Sequence, residues 1–82
     1  MMKAVAVPIA AIYVPAKFKG TLDGGKVDAL AEDILEHGLT NPISVRRDGD
    51  RYVLVQGLHR LEAVRALGET AVPAFVVAAR QF

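Results

Sequence analysis

Tyr52-Val53-Leu54-Val55 is an unbroken apolar run held between Arg51 and Gln56. Apolar residues of aromatic and β-branched type in a run this short read as a strand, and a strand without alternation asks for cover on both faces. Gln56 and Gly57 follow, and then Leu58, Leu61, Val64 and Leu67 recur every three residues as far as Gly68. That spacing predicts a helix from about Leu58 to Leu67, closed by a glycine that tolerates a left-handed conformation. A buried strand feeding directly into a helix commits the chain to layers of helix on sheet.

The flanking sequence repeats the pattern. Lys26 to His37 carries Val27, Leu30, Ala31, Ile34 and Leu35 at i, i+3, i+4, i+7 and i+8, which predicts one apolar helical stripe. Asp28, Glu32, Asp33 and Glu36 take the opposite side, and Gly38 supplies the stop. Lys3 to Val7 and Ile12 to Val14 read as short strands broken by Pro8, and Pro15 to Gly25 as an irregular loop. Leu39 to Pro42 reads as a turn, with a strand beginning at Ile43-Ser44-Val45. Asp48-Gly49-Asp50 marks a hairpin, and Val72 to Ala78 a last strand. The order strand, strand, helix, strand, strand, helix, strand predicts an α+β fold: a small mixed β-sheet with two main helices packed against it.

At 82 residues this is read as one domain over positions 1–82, without internal repeat or linker. A chain of this size buries only about 60–65% of its unfolded surface, so its margin is thin. The apolar content of 52% argues against disorder. No run approaches the roughly 18 apolar residues of a membrane span. Without cysteine, disulfides and thiolate chemistry are excluded, and two histidines are too few for a zinc centre. Met1-Met2-Lys3 and the apolar stretch to Val14 faintly resemble an export signal. Pro8 and Pro15 interrupt it, and its removal would take two strands, so the expected location is the cytoplasm. The net charge of +1 argues against a polybasic surface for nucleic acid.

The chemistry lies in Gln56-Gly57-Leu58-His59-Arg60. The first amides of a helix have no internal partner, and the helix dipole favours an anion there. Gly57 removes a side chain that would hold a phosphate off the backbone, and Arg60 offers a planar fork of donors. Cations at a helix start oppose its stability by roughly 0.3–1 kcal/mol each, a penalty that a bound anion reverses. The plainer alternative stands beside it: Gly57 makes a tight turn, and Arg60 pairs with Glu62 or Glu69.

The pieces VPIAAI, LDGGKVDALAEDILEHGLTNPISV, YVLVQGLHRLEAVRALG and VPAFVV resemble, in order and spacing, the ParB N-terminal and sulfiredoxin superfamily, also called the ParB-like nuclease domain. The resemblance covers Val7 to Val77. It implies a small α+β fold holding a nucleoside triphosphate, ATP or CTP with Mg2+, at the glycine-led helix turn. Carried over by position, the nucleotide and phosphate residues are Lys26, Gly57, His59 and Arg60, and no catalytic residue or protein-bound metal is carried over. Sulfiredoxins read Gly-Cys-His-Arg at this motif, so Leu58 replaces their catalytic cysteine. ParB proteins read Gly-Glu-Arg-Arg. Ala29 and Asp33 depart from polar sulfiredoxin positions on the first helix.

The resemblance implies a regulatory or DNA-partitioning module that binds nucleotide and reaches DNA through a companion domain or protein. In ParB the nucleotide-closing residues and a helix-turn-helix lie beyond the last strand, whereas this chain ends at Phe82. Either it is part of a longer protein or it stands alone. One alternative is a small ATP-dependent kinase or phosphohydrolase of the same fold. Another is a DNA-binding or nuclease accessory protein, whose basic patch would be Arg46, Arg47 and Arg51 around the hairpin. Lys17 and Lys19 are candidates for a phosphate lid, and Asp33 with Glu36 for a magnesium site; solvated surface explains each pair as well. No membrane partner is expected, and oligomeric state is not legible.

Overall fold

Residues 3–78 are described by the computed structural model. The strands are β1 (Val5–Pro8), β2 (Ile12–Tyr13), β3 (Ile43–Asp48), β4 (Arg51–Gln56) and β5 (Ala71–Val77). The helices are α1 (Gly24–His37), between β2 and β3, and α2 (Leu58–Ala66), between β4 and β5. The alternation of elements is the one expected. Pro8 ends β1 instead of splitting a strand, and single 3-10 turns occupy Ile9–Ala11 and Ala16–Phe18. Both segments of the signal-like N-terminal stretch that follow Lys3 are strands of the sheet.

The sheet runs β1-β5-β3-β4-β2. β1 lies antiparallel to β5 and β3 antiparallel to β4, while β3/β5 and β2/β4 are parallel. Pro73 pairs across to Ala6 of β1, and β5 meets β3 only from Ala74 onward. The residue without an amide donor thus sits where the strand still has one neighbour, as a proline in a strand requires.

Val7, Ile43, Val45, Leu54, Leu61 and Val72 form the fully sequestered centre. The expected leucine stripe holds on α2, which buries Leu58, Leu61, Ala63 and Val64. Leu58, Leu61 and Val64 each contribute about 1.5–3 kcal/mol of burial, and Ala63 less. Gly68 follows with φ +82°, the left-handed stop.

Two expectations about cover are corrected. α1 packs chiefly on α2 rather than on the sheet, and none of its residues is fully buried. Val27, Leu30, Ala31 and Ile34 are half-buried, whereas Leu35 is 77% exposed. A stripe that meets one neighbouring helix is narrower than one that meets a sheet, and Leu35 falls outside it. The second correction concerns the apolar run of β4. Val53 and Leu54 are buried, Tyr52 is half-buried, and Val55 is 40% exposed. The register shifts there: Ser44 faces Gln56 while the next residue, Val45, faces Leu54. Val55 is the extra residue of a β-bulge, which turns the strand end away from regular pairing just before α2.

Candidate functional site

The bulge at Val55 delivers the chain to Gly57, which has φ +108° and ψ +33°. A Cβ at this position would lie 2.7 Å from Cγ2 and 2.9 Å from Cβ of Ile43. Glycine is therefore demanded by the backbone and by the buried β3 side chain beneath it. The absent side chain would point at Ile43, which gives the glycine a packing reason that the sequence did not show.

α2 then starts without any side-chain cap and without an acidic residue in its first turn. α1 differs. Asp23 caps it, its Oδ1 accepting from the amides of Gly25 at 2.9 Å and Lys26 at 3.4 Å. One helix start has already met its need for an acceptor, and the other presents its amides open. Asp23 also moves the start of α1 to Gly24, two residues before the predicted Lys26.

A cleft of about 410 Å³ opens over the start of α2. Lys26, Gly57, His59 and Arg60 all line it, so the fold gathers the four residues singled out by sequence. Phe18 and Thr21, from the loop before α1, and Leu30 of α1 complete an apolar side that sequence reasoning missed. No periodicity marks that loop; only the folding back of α1 onto α2 brings it there. Its geometry is partly visible in Thr21, whose hydroxyl donates to the Phe18 carbonyl at 2.7 Å.

Arg60 is half-buried and takes part in no ion pair among the described residues. The surface pairing that would have explained it away is not formed: Glu62 lies 3.6 Å from Arg65 instead. His59 is engaged. Its Nε2 accepts from the Asp23 backbone amide at 3.1 Å.

The other candidates lie apart from the cleft. Lys17 sits 5.4 Å from the Phe18 ring centre and lines a separate groove with Arg46, Val53 and Val77. Lys19 is exposed and lines neither. At the hairpin, Arg47 stacks 5.3 Å from the Tyr52 ring and donates to its hydroxyl at 3.2 Å. Arg51 stacks 4.5 Å from the Tyr13 ring and pairs with Asp48 at 3.1 Å. Two of the three hairpin arginines thus brace the sheet. Asp33 is 3.1 Å from His37 Nδ1, and no three His, Asp or Glu side chains converge among the described residues. No described helix is long and apolar enough to cross a membrane.

The family model described as the ParB N-terminal domain matches residues 2–81. The chain belongs to that family. As a ParB N-terminal domain it is 37% identical over 62 residues to the probable chromosome-partitioning protein ParB of Campylobacter jejuni, a match covering 76% of this chain and 22% of the relative. Curated ParB and nucleoid occlusion relatives are matched over about a quarter of their length or less, for example 26% of one from Geobacillus kaustophilus and 18% of one from Myxococcus xanthus. Among solved structures, sulfiredoxin from Arabidopsis thaliana superposes with a TM-score of 0.83 at 29% identity, over 93% of this chain and 85% of that one. The C-terminally truncated ParB of Caulobacter crescentus, complexed with CTP-gamma-S, gives 0.81 at 26% identity, over 95% of this chain and 46% of that one. The α+β fold with a mixed five-stranded sheet is that of this superfamily.

Proposed function

We propose that this ParB N-terminal domain binds the phosphate chain of a nucleoside triphosphate at the start of α2 and acts as a regulatory, partition-related module rather than as an enzyme. The observation that carries the reading is the pairing of an uncapped helix start with a half-buried Arg60 that has no carboxylate partner among the described residues. Open amides and a planar guanidinium recognise the same ligand group, a phosphate. Lys26 lines the same cleft and adds a second charge, and a volume of about 410 Å³ lies within the range of small-ligand sites. Phe18 and Leu30 offer an apolar wall for the nucleoside. The CTP analogue held by the Caulobacter ParB makes CTP the first nucleotide to test, with ATP beside it. Magnesium in this scheme travels with the nucleotide, coordinated by its phosphate oxygens.

Calorimetric titration of the chain with CTP, ATP and GTP, with and without Mg2+, is the test, together with an assay for released phosphate. Binding without turnover is expected. Arg60→Ala should lower affinity by roughly 1.5–3 kcal/mol, the value of a hydrogen bond to a charged group, or about ten- to a hundredfold. Arg60→Lys should restore only part, since an ammonium cannot make the forked contact. Failure of the wild type to bind any of the three removes the reading, equal affinity of Arg60→Ala moves the site, and turnover makes the domain an enzyme.

A further inference from the structure

At the far end of the helical layer from the cleft, Ile34 and Leu35 from the last turn of α1 meet Val64 and Leu67 from the end of α2. With Pro73 of β5 they line a groove of about 320 Å³, and Glu69 is its one charged lining residue. Leu35 is the most exposed large apolar side chain among the described residues, at 77% against 50% for Leu22. A single exposed leucine is ordinary on a protein surface. One that stands on the wall of an otherwise apolar groove is an anchor without a counterpart.

The charge around this groove is negative. Helix dipoles leave partial negative charge at their C-terminal ends, and the ends of both helices line the groove. Glu36 lies in the last turn of α1, and Glu32 stands three residues before Leu35, adjacent to it on the helix surface. Glu32, Glu36 and Glu69 are exposed and take part in no ion pair among the described residues. Asp33, by contrast, is matched to His37. No lysine or arginine occurs from Val27 to Val45 or from Ala66 to Ala78, the two stretches that frame the groove. A carboxylate near a helix C-terminus opposes the dipole of its own helix, so Glu36 does not serve α1. A cation brought from outside relieves that opposition.

We propose that this groove docks a partner protein through a basic amphipathic helix. The apolar stripe of that helix enters beside Leu35, and lysine or arginine on its flanks meets Glu32, Glu36 and Glu69. An extended segment is disfavoured, because the stretch of β5 in the lining contains Pro73, which has no amide to donate to an added strand. A helix anchors through side chains at i, i+3 or i+4 and needs only the apolar walls. The groove shares no lining residue with the cleft at the start of α2, so the proposal stands independently of nucleotide.

Three fluorescein-labelled helical peptides of about 18 residues, or five turns, are the probes. The first carries a leucine stripe flanked by lysine, the second the same stripe flanked by glutamate, and the third the lysines with alanine in place of the stripe. Fluorescence anisotropy on the 82-residue chain measures affinity, and NMR shift mapping places the peptide. The leucine–lysine peptide should bind at least about tenfold more tightly than either control, since apolar anchoring and charge complementarity are both required. Leu35→Ala should lower its affinity about tenfold without changing thermal unfolding. Glu32→Lys with Glu69→Lys should lower it by a similar factor, whereas Asp50→Lys at the β3–β4 hairpin should leave it unchanged. Absence of binding by the leucine–lysine peptide overturns the proposal, as does equal affinity for Leu35→Ala. A loss with Asp50→Lys as large as that with the glutamate variants also overturns it, because attraction would then follow net charge alone. Sedimentation velocity reads the remaining occupant: self-association that Leu35→Ala abolishes would seat a second copy of this chain in the groove and overturn the partner reading.

Discussion

Gly57 and Leu58 stand at the head of α2 and border the cleft, yet packing constrains both. For Gly57 the constraint is steric: φ of +108° and an added Cβ within 2.9 Å of two Ile43 atoms. Gly57→Ala should cost roughly 2–5 kcal/mol, combining backbone strain with overpacking. Adding Ile43→Ala should relieve only the clash with Cγ2, because the Ile43 Cβ stays 2.9 Å away, a partial non-additivity that urea denaturation of the two single variants and the double variant will show. Leu58 is 8% exposed and belongs to the core. It stands where the sulfiredoxin pattern has its catalytic cysteine, and a hydrocarbon side chain has no thiolate with which to attack. The protein should therefore leave a sulfinylated peroxiredoxin unreduced. Reduction above a no-protein control, followed by mass spectrometry, would contradict this. That Gly57 and Arg60 meet at the start of α2 was legible from residue type and order, but the packing reason for Gly57 was not, because Ile43 is fourteen positions away and meets it only through strand pairing.

At the scale of elements, both helices and all five strands were legible, since each carries its own periodicity or turn signal. What periodicity could not convey is what a stripe packs against. The α1 stripe reads as continuous from Val27 to Leu35, yet Ile34 reaches the core while Leu35 is 77% exposed. The neighbour that decides this, α2, lies more than twenty residues further along the chain. Ile34→Ala should therefore destabilise by about 1–2 kcal/mol, the lower end of core truncation for a half-buried site. Leu35→Ala should stay within about 0.5 kcal/mol of wild type. Thermal or urea unfolding distinguishes the two, and equal costs would mean that α1 is seated differently. The unalternating run of β4 carried the same ambiguity. A four-residue apolar strand reads as covered on both faces, and the bulge that exposes Val55 depends on register with Ser44 and Val45, which no local signal encodes.

For the molecule as a whole, charge is the property that bears on partners. Ten basic and nine acidic residues leave +1, and among the described residues the fold scatters the cations instead of collecting them. Arg51 and Arg65 are paired with Asp48 and Glu62, and Arg47 is stacked on Tyr52. Lys26 and Arg60 share one cleft, while Lys17 and Arg46 share another groove. α1 and α2 are separated in the chain by β3 and β4, so they do not form a helix-turn-helix. No more than about two neighbouring phosphates of a duplex can then be met by adjacent cations, and counterion release gives each such contact a slope near −0.9 in log affinity against log salt. This 82-residue chain alone should bind duplex DNA with a dissociation constant no tighter than about 10 μM at physiological salt, without sequence preference, and with a slope no steeper than about −2. Fluorescence anisotropy with two unrelated duplexes across a salt series measures all three quantities. A sub-micromolar complex with one duplex and not the other would show a DNA-reading surface within these residues and remove the need for a companion domain. A steep slope with equal affinities would instead reveal a basic surface wider than the two cation pairs.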